Sequence, residues 1–392
     1  MQSNRKSTKM NSLNGLPLLS ALLLFAGTVN CVYRIQLSSI PGSKVGREDV
    51  SSLNVGHIGL GTPPQNMSII MDTGSADFWV TSSNCDETCG KLHLFSGSKS
   101  KTYQCGEEDC PEDFDVEDCV PESEEDEDLC FTLEYGTGSI YMKKSRDNLE
   151  IGGLCAKNVS FGEALNVSDT FTTNELDGIM GFGFSPLSRS GMKPVYEVLD
   201  DQGLMKEPYF TFCQNSDTGS KKIHELYLGG TNPSYYKGLK ARANITKPEY
   251  WTFTLDQIKL GNGKTTCTNG CDAAADTGTS DIRGPREFAE ELNNMIGAYR
   301  KNESDIDYTI DCDTTNTPSV SFVIGGHPFV LTPDDYVYKE KDGSCRTVFG
   351  ISRSDATTFW ILGQWFLKGL CTEFHFKEKY LVFAPIKEEL MN

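Results

Sequence analysis

The tetrapeptide Asp72-Thr73-Gly74-Ser75 recurs as Asp276-Thr277-Gly278-Thr279, and no other feature limits the possible folds as much. Each copy is followed by an apolar pair and a glycine, Ile179-Met180-Gly181 after the first and Ile361-Leu362-Gly363 after the second. Self-similarity on this scale predicts a duplicated lobe, because solenoid repeats are far shorter. The 392 residues are enough for two core-bearing domains. The first copy ends the apolar run Met67 to Met71, which reads as a buried strand, so Asp72 stands where that strand stops.

Between the copies, strand-like segments such as "YFTF", "ELYLGG", "WTFTLDQIKL" and "VSFVIGG" alternate with Gly, Asn, Asp and Pro turns. Helical signals are few, and Glu287 to Tyr299 and the stretch around Val195 to Leu199 are the best of them. The expected fold is therefore mainly β, two pseudo-symmetric lobes with a cleft between them.

Arg5, Lys6 and Lys9 precede the apolar stretch Leu16 to Val29, which is too short for a membrane span and reads as a secretory signal ending near Cys31. Secretion accounts for the 14 cysteines, most of which an oxidising compartment would pair. Cys85, Cys89 and His93 have zinc-like spacing but lack a fourth ligand, so a disulfide is the expectation there, with no metal and no cofactor. Sequons begin at Asn66, Asn158, Asn166, Asn244 and Asn302, and Asn66 is the weakest because it adjoins the buried strand.

A net charge of −19 leaves no basic stripe for nucleic acid. The fragment "GLGTPP" lacks the third glycine of a dinucleotide fingerprint, no G-x-S-x-G occurs, and the five histidines are scattered. The two repeated acids remain. If two-fold symmetry sets Asp72 beside Asp276, the pair cannot both ionise cheaply and holds one proton over a range of pH. One carboxylate can then take a proton from an attacking water while its protonated partner polarises a peptide carbonyl. Gly74 and Gly278 would leave room for tight turns and for substrate.

In this ordered set of motifs the chain resembles the pepsin and cathepsin D family of aspartic endopeptidases, from about Leu53 to Ile386. "GHIGLGTPPQ", "DTGSADFWV", "LEYGTGSI", "DGIMGFGF", "ADTGTSDIRGP" and "WILGQWFL" follow one another in the family's order. The resemblance implies a bilobal pepsin-like fold, catalytic Asp72 and Asp276, and a flap carrying Tyr135, Gly136 and Thr137 braced by Trp79. Gly74, Ser75, Gly278 and Thr279 join these as substrate-binding residues. It also implies disulfides joining Cys85 to Cys89, Cys267 to Cys271 and Cys312 to Cys345, and a monomer that cleaves polypeptides between bulky apolar residues outside the cell or in a lysosome-like compartment. Glycosylation is expected at Asn158, Asn166, Asn244 and Asn302. The alternative is a non-catalytic secreted peptide-binding protein on the same scaffold.

The expected divisions are a signal peptide over 1–31, a short propeptide-like segment over 32–51, an N-terminal lobe over 52–207 and a C-terminal lobe over 208–392. Four departures from the family stand out. The segment "VYRIQL" begins like a propeptide but lacks the longer basic part, so it is read either as a flexible N-terminal tail or as a source of Arg34, Lys44 or Arg47 to pair with the two acids. An insertion from Cys105 to Cys130 holds 14 acidic residues among the 22 from Glu107 to Asp128, and is read either as a loop that biases the enzyme toward cationic substrates or damps flap motion until acid neutralises it, or as a solvated loop without a role. Gln364 replaces an aspartate after "ILG", removing one negative charge near the acids. Cys155, Cys213 and Cys371 fall outside the family's set; Cys213 and Cys371 are candidates to bond, which would leave Cys155 over.

Overall fold

The structure, a computed structural model, describes residues 32–41, 52–90, 92–105, 130–135, 138–172, 176–215, 223–236, 238, 240–354 and 356–391. The signal-like segment, Lys44, Arg47, Gly136, Thr137 and positions 106–129 of the acidic insertion lie outside them. The fold is mainly β.

The repeat appears in the strand pairing. In the first half, strand Gln65–Asp72 runs parallel to Gly178–Gly181, with Asp72 opposite Gly181, and Gly178–Gly181 runs antiparallel to Phe78–Thr81. In the second half, Cys271–Ala275 runs parallel to Trp360–Leu362, which runs antiparallel to Ile282–Gly284. Both loops thus leave the end of a strand fixed on the same plan by a parallel neighbour. All four residues of Phe78–Thr81 and of Gly178–Gly181 are buried, as expected of strands covered on both faces.

The first half centres on a nine-stranded sheet, the second on an eleven-stranded sheet that includes antiparallel strands Tyr209–Gln214, His224–Leu228, Leu370–His375 and Tyr380–Pro385. A buried aromatic cluster joins the halves. Phe182 lies 5.0 Å from Phe210, Phe210 lies 5.0 Å from Phe374, and Phe374 lies 5.0 Å from Trp251, whose indole donates to the Phe182 carbonyl at 2.8 Å. Burying each such ring stabilises by about 1.5–3 kcal/mol, so the junction is firmly packed. Cys213 faces Cys371 in register, and the two are bonded.

Segment 33–41 completes two sheets at once. Tyr33–Gln36 pairs with His224–Leu228 at the edge of the large sheet, and Ser38–Pro41 pairs with Ser52–Leu60 in the other. Arg34 forms an ion pair with Glu225 at 3.2 Å, which corrects its candidacy as a partner of the repeated acids. The helix expected over Glu287 to Tyr299 spans Arg286–Ile296. It stops short because Gly297 takes a left-handed φ of 86° and its N–H donates back to Asn293 and Asn294 carbonyls. Its buried face, Ala289, Leu292, Asn293 and Ile296, follows helical spacing.

Candidate active site

Asp72 and Asp276 face each other, although 203 residues separate them in the chain. A Cβ added to Gly74 would lie 2.6 Å from the Asp276 carboxyl, and one added to Gly278 would lie 2.1 Å from Asp72 Oδ1. Each glycine therefore abuts the opposite acid, and no larger residue fits at either position. Asp72 Oδ1 accepts from the Gly74 N–H at 2.7 Å and Oδ2 from the Ser75 hydroxyl at 2.6 Å. Asp276 repeats the pattern, accepting from Gly278 N–H at 2.8 Å, Thr279 N–H at 3.2 Å and the Thr279 hydroxyl at 2.7 Å.

The threonines of the repeat, which sequence reading did not single out, lock the loops together. The Thr73 N–H donates to Thr277 Oγ1 at 3.0 Å, and the Thr277 N–H to Thr73 Oγ1 at 2.9 Å. Their hydroxyls donate onward across the axis, Thr73 to the Ala275 carbonyl at 3.0 Å and Thr277 to the Met71 carbonyl at 2.7 Å. Both side chains are fully buried. Each of these bonds is worth about 1 kcal/mol net, but leaving a buried group unpaired costs about 1–3 kcal/mol, so the four hold the acids in register. The glycines after the apolar pairs have a related reason. A Cβ at Gly181 would come within 2.4 Å of the Ala76 backbone, and one at Gly363 within 2.3 Å of the Asp281 carbonyl.

Burial, with the charge of Asp276 second, pushes Asp72 up to about 7, against the lowering effect of its bonds to Ser75 and Gly74. The pair thus keeps a proton well above the ordinary carboxylate range.

Strands Cys130–Tyr135 and Gly138–Ile151 form a hairpin whose last pair is Tyr135 opposite Gly138. The Trp79 indole donates to the Tyr135 hydroxyl at 3.0 Å, as expected of a brace. Phe171 meets both rings edge-on, at 5.9 Å from Trp79 and 5.6 Å from Tyr135. Burial, with Asp72 and Asp77 next, pushes the Tyr135 phenol far up, so it stays a neutral donor.

Gln364 is buried, and its amide donates to the Thr277 carbonyl at 2.5 Å, while its backbone N–H donates to the Thr279 carbonyl at 2.9 Å. An ionised aspartate has no proton to give that carbonyl; the amide does, and so clamps the second loop. Sequence reading also missed Asp77, a buried acid close behind the first loop. The available signal was its recurrence as Asp281, five residues after each repeated acid. Asp281 instead pairs with buried Arg283 at 2.6 Å.

Cys85 is bonded to Cys89, which removes the zinc reading of that pair, and Cys267 is bonded to Cys271. Cys312 is bonded to Cys345 with their Cα atoms 5.3 Å apart. Cys345 is buried at the start of strand Cys345–Thr347, whereas Cys312 lies in an exposed loop, so this bond pins a surface turn to the sheet. Cys105 and Cys130, at the ends of the insertion, each take part in a disulfide. Cys155 is free and exposed. Asn158, Asn244 and Asn302 are exposed, as is Asn66 despite its strand. Asn166 is half-buried, and its amide donates to Asp86 at 2.9 Å. Among the described residues no helix is long and apolar enough to cross a membrane.

Comparison with known proteins matches residues 54–386 to the family model described as eukaryotic aspartyl protease. Cathepsin D of Gallus gallus is 36% identical over 329 residues, covering 81% of this chain and 77% of that protein. Napsin-A of Mus musculus is 38% identical over 324 residues, covering 80% and 71%. Cathepsin D of Homo sapiens is 31% identical over 350 residues, covering 84% and 79%.

Proposed function

The chain belongs to the eukaryotic aspartyl protease family and is an aspartic-type endopeptidase, and from that premise we propose that Asp72 and Asp276 are its catalytic pair. The observation that carries this reading is the mutual approach of the two carboxyls, each held by its own loop and each fitted against the other loop's glycine. With one proton shared, a water between them attacks the peptide carbonyl. One carboxylate takes the water's proton, the protonated carboxyl donates to the carbonyl oxygen, and a neutral tetrahedral diol results. Proton return to the leaving nitrogen breaks the C–N bond.

Tyr135, with Gly136 and Thr137, closes over the substrate, and Gly74, Ser75, Gly278 and Thr279 line its path. Tyr135 and Phe171 from one half, with Tyr250 and Phe359 from the other, favour bulky apolar side chains beside the scissile bond. The lobes divide at 52–207 and 208–392, the enzyme acts as a monomer, and it works outside the cell or in an acidic lysosome-like compartment after loss of residues 1–31. Glycans sit at Asn158, Asn244 and Asn302; Asn166 is a poorer acceptor because its amide is engaged.

The test is cleavage of denatured globin across pH 3 to 7, with and without a statine-type transition-state mimic, by the native chain and Asp72→Asn. Inhibitable cleavage that vanishes in the variant is expected. A folded native chain that binds the mimic but cleaves nothing at any pH would refute catalysis and leave the peptide-binding alternative.

A further inference from the structure

Segment 181–190 runs back along the first acid's loop. Phe182 N–H donates to the Asp72 carbonyl at 2.7 Å, Gly183 N–H to the Ser75 carbonyl at 2.7 Å and Gly181 N–H to the Asp77 carbonyl at 2.9 Å. The buried Asp77 carboxylate then gathers the next turn. Oδ1 accepts from the Ser188 hydroxyl at 2.7 Å, from Ser190 N–H at 3.1 Å and from the Ser190 hydroxyl, and Oδ2 accepts from Arg189 N–H at 2.9 Å. The backbone of Arg189 is therefore fixed while its side chain is exposed. Among the described residues its guanidinium has no hydrogen-bond or ion-pair partner, in a chain of net charge −19.

The other half presents Tyr250 to this loop. Phe184 N–H donates to the Glu249 carbonyl at 3.0 Å, and the Phe184 ring lies 4.3 Å from Trp251, so the turn holding Tyr250 is tied to residue 184 on both sides. Tyr250 packs on Phe359 at 5.3 Å. Its phenol is raised by burial and by Asp276, with smaller effects of Asp72 and Glu249, while Arg189 opposes them. The turn that holds Arg189 and the turn that holds Tyr250 are thus both tied to residues 181–184, which are bonded to the loop of Asp72. Glu249 pairs with Lys247 at 2.7 Å.

We infer that Arg189 is a specificity-determining residue, selecting peptides that carry an ionised Asp or Glu a short distance from the scissile bond. A guanidinium presents a planar fork that matches a carboxylate with two parallel hydrogen bonds. Asp77 is the positioning residue, since four donors on the turn converge on its carboxylate. The inference rests on the endopeptidase reading above.

The experiment is a peptide series with an apolar scissile pair, in which Glu or its neutral isostere Gln is scanned through the four positions on each side. Cleavage is read as kcat/KM at pH 5.5, where an ordinary Glu is ionised. At one position the Glu peptide is expected to be cleaved about fivefold faster than the Gln peptide, the effect of one partly exposed ion pair, and less so in high salt. Arg189→Gln should bring that ratio to about one, and Arg189→Glu should bring it below one. Equal ratios at every position in the native chain, or a preference that survives Arg189→Gln, would overturn this inference alone. Cleavage of neither peptide would refute the endopeptidase reading, and this inference with it.

Discussion

Asp72→Asn should stabilise the fold at neutral pH while abolishing activity. The Asp72 carboxyl moves from 3.8 to about 7 on folding, chiefly through burial. Below pH 3.8 both states hold the proton and nothing is lost. Between 3.8 and 7 the unfolded chain releases its proton while the folded chain keeps it, so stability falls as pH rises; above 7 the full cost is present. A change of about 3 pH units corresponds to ~4 kcal/mol. Asparagine keeps the shape and the acceptor for the Gly74 N–H, and Ser75 can rotate to accept from the new amide. Unfolding by guanidinium is measured for both proteins at pH 4 and pH 8. The variant's gain over the native chain should be larger at pH 8 by on the order of 3 kcal/mol. A difference that is flat with pH would refute the idea that Asp72 is held protonated by burial and by Asp276.

Gly278→Ala would place a methyl group 2.1 Å from Asp72 Oδ1, and a displacement of about 1 Å in the reacting groups lowers kcat on the order of a hundredfold; near-native turnover of a fluorogenic peptide would contradict the packing described. Tyr135→Phe removes the acceptor of the Trp79 indole and should lower kcat/KM about tenfold and weaken the statine-type mimic comparably, since an unpaired buried donor costs about 1–3 kcal/mol. Unchanged inhibition would show that the brace does not matter. Replacing Cys213 and Cys371 together by serine should lower unfolding free energy by about 3–5 kcal/mol, because this bond closes a span of 158 residues. Urea titration would read the loss, and the wild-type midpoint would argue against it.

Much of the site was legible because the chemistry is written locally and twice. An acid, a hydroxyl residue and a glycine at the end of an apolar run read as a rigidly mounted carboxylate, and repetition implied that two such mounts meet. The contact of Trp79 with Tyr135 was implied by the family resemblance, and the bonding of Cys213 to Cys371 followed from their position on expected strands. Arg34 misled because a cation near the chain start has no marked partner in sequence; edge pairing with His224–Leu228 delivered it to Glu225 instead. The end of the helix at Ile296 turned on the left-handed φ of Gly297, which competed with a periodicity that ran further.

By itself the sequence determined the duplicated β plan, the two acids and their glycines, since strand periodicity, turn residues and repeated motifs are properties of neighbours along the chain. Only the tertiary structure decided which groups touch across it. The interlocked Thr73 and Thr277, the raised Asp72, the Gln364 amide on the Thr277 carbonyl and the Asp77 carboxylate that holds the Arg189 turn all depend on residues far apart in sequence. Burial and charge proximity act through space, so the composition of a local segment cannot specify them.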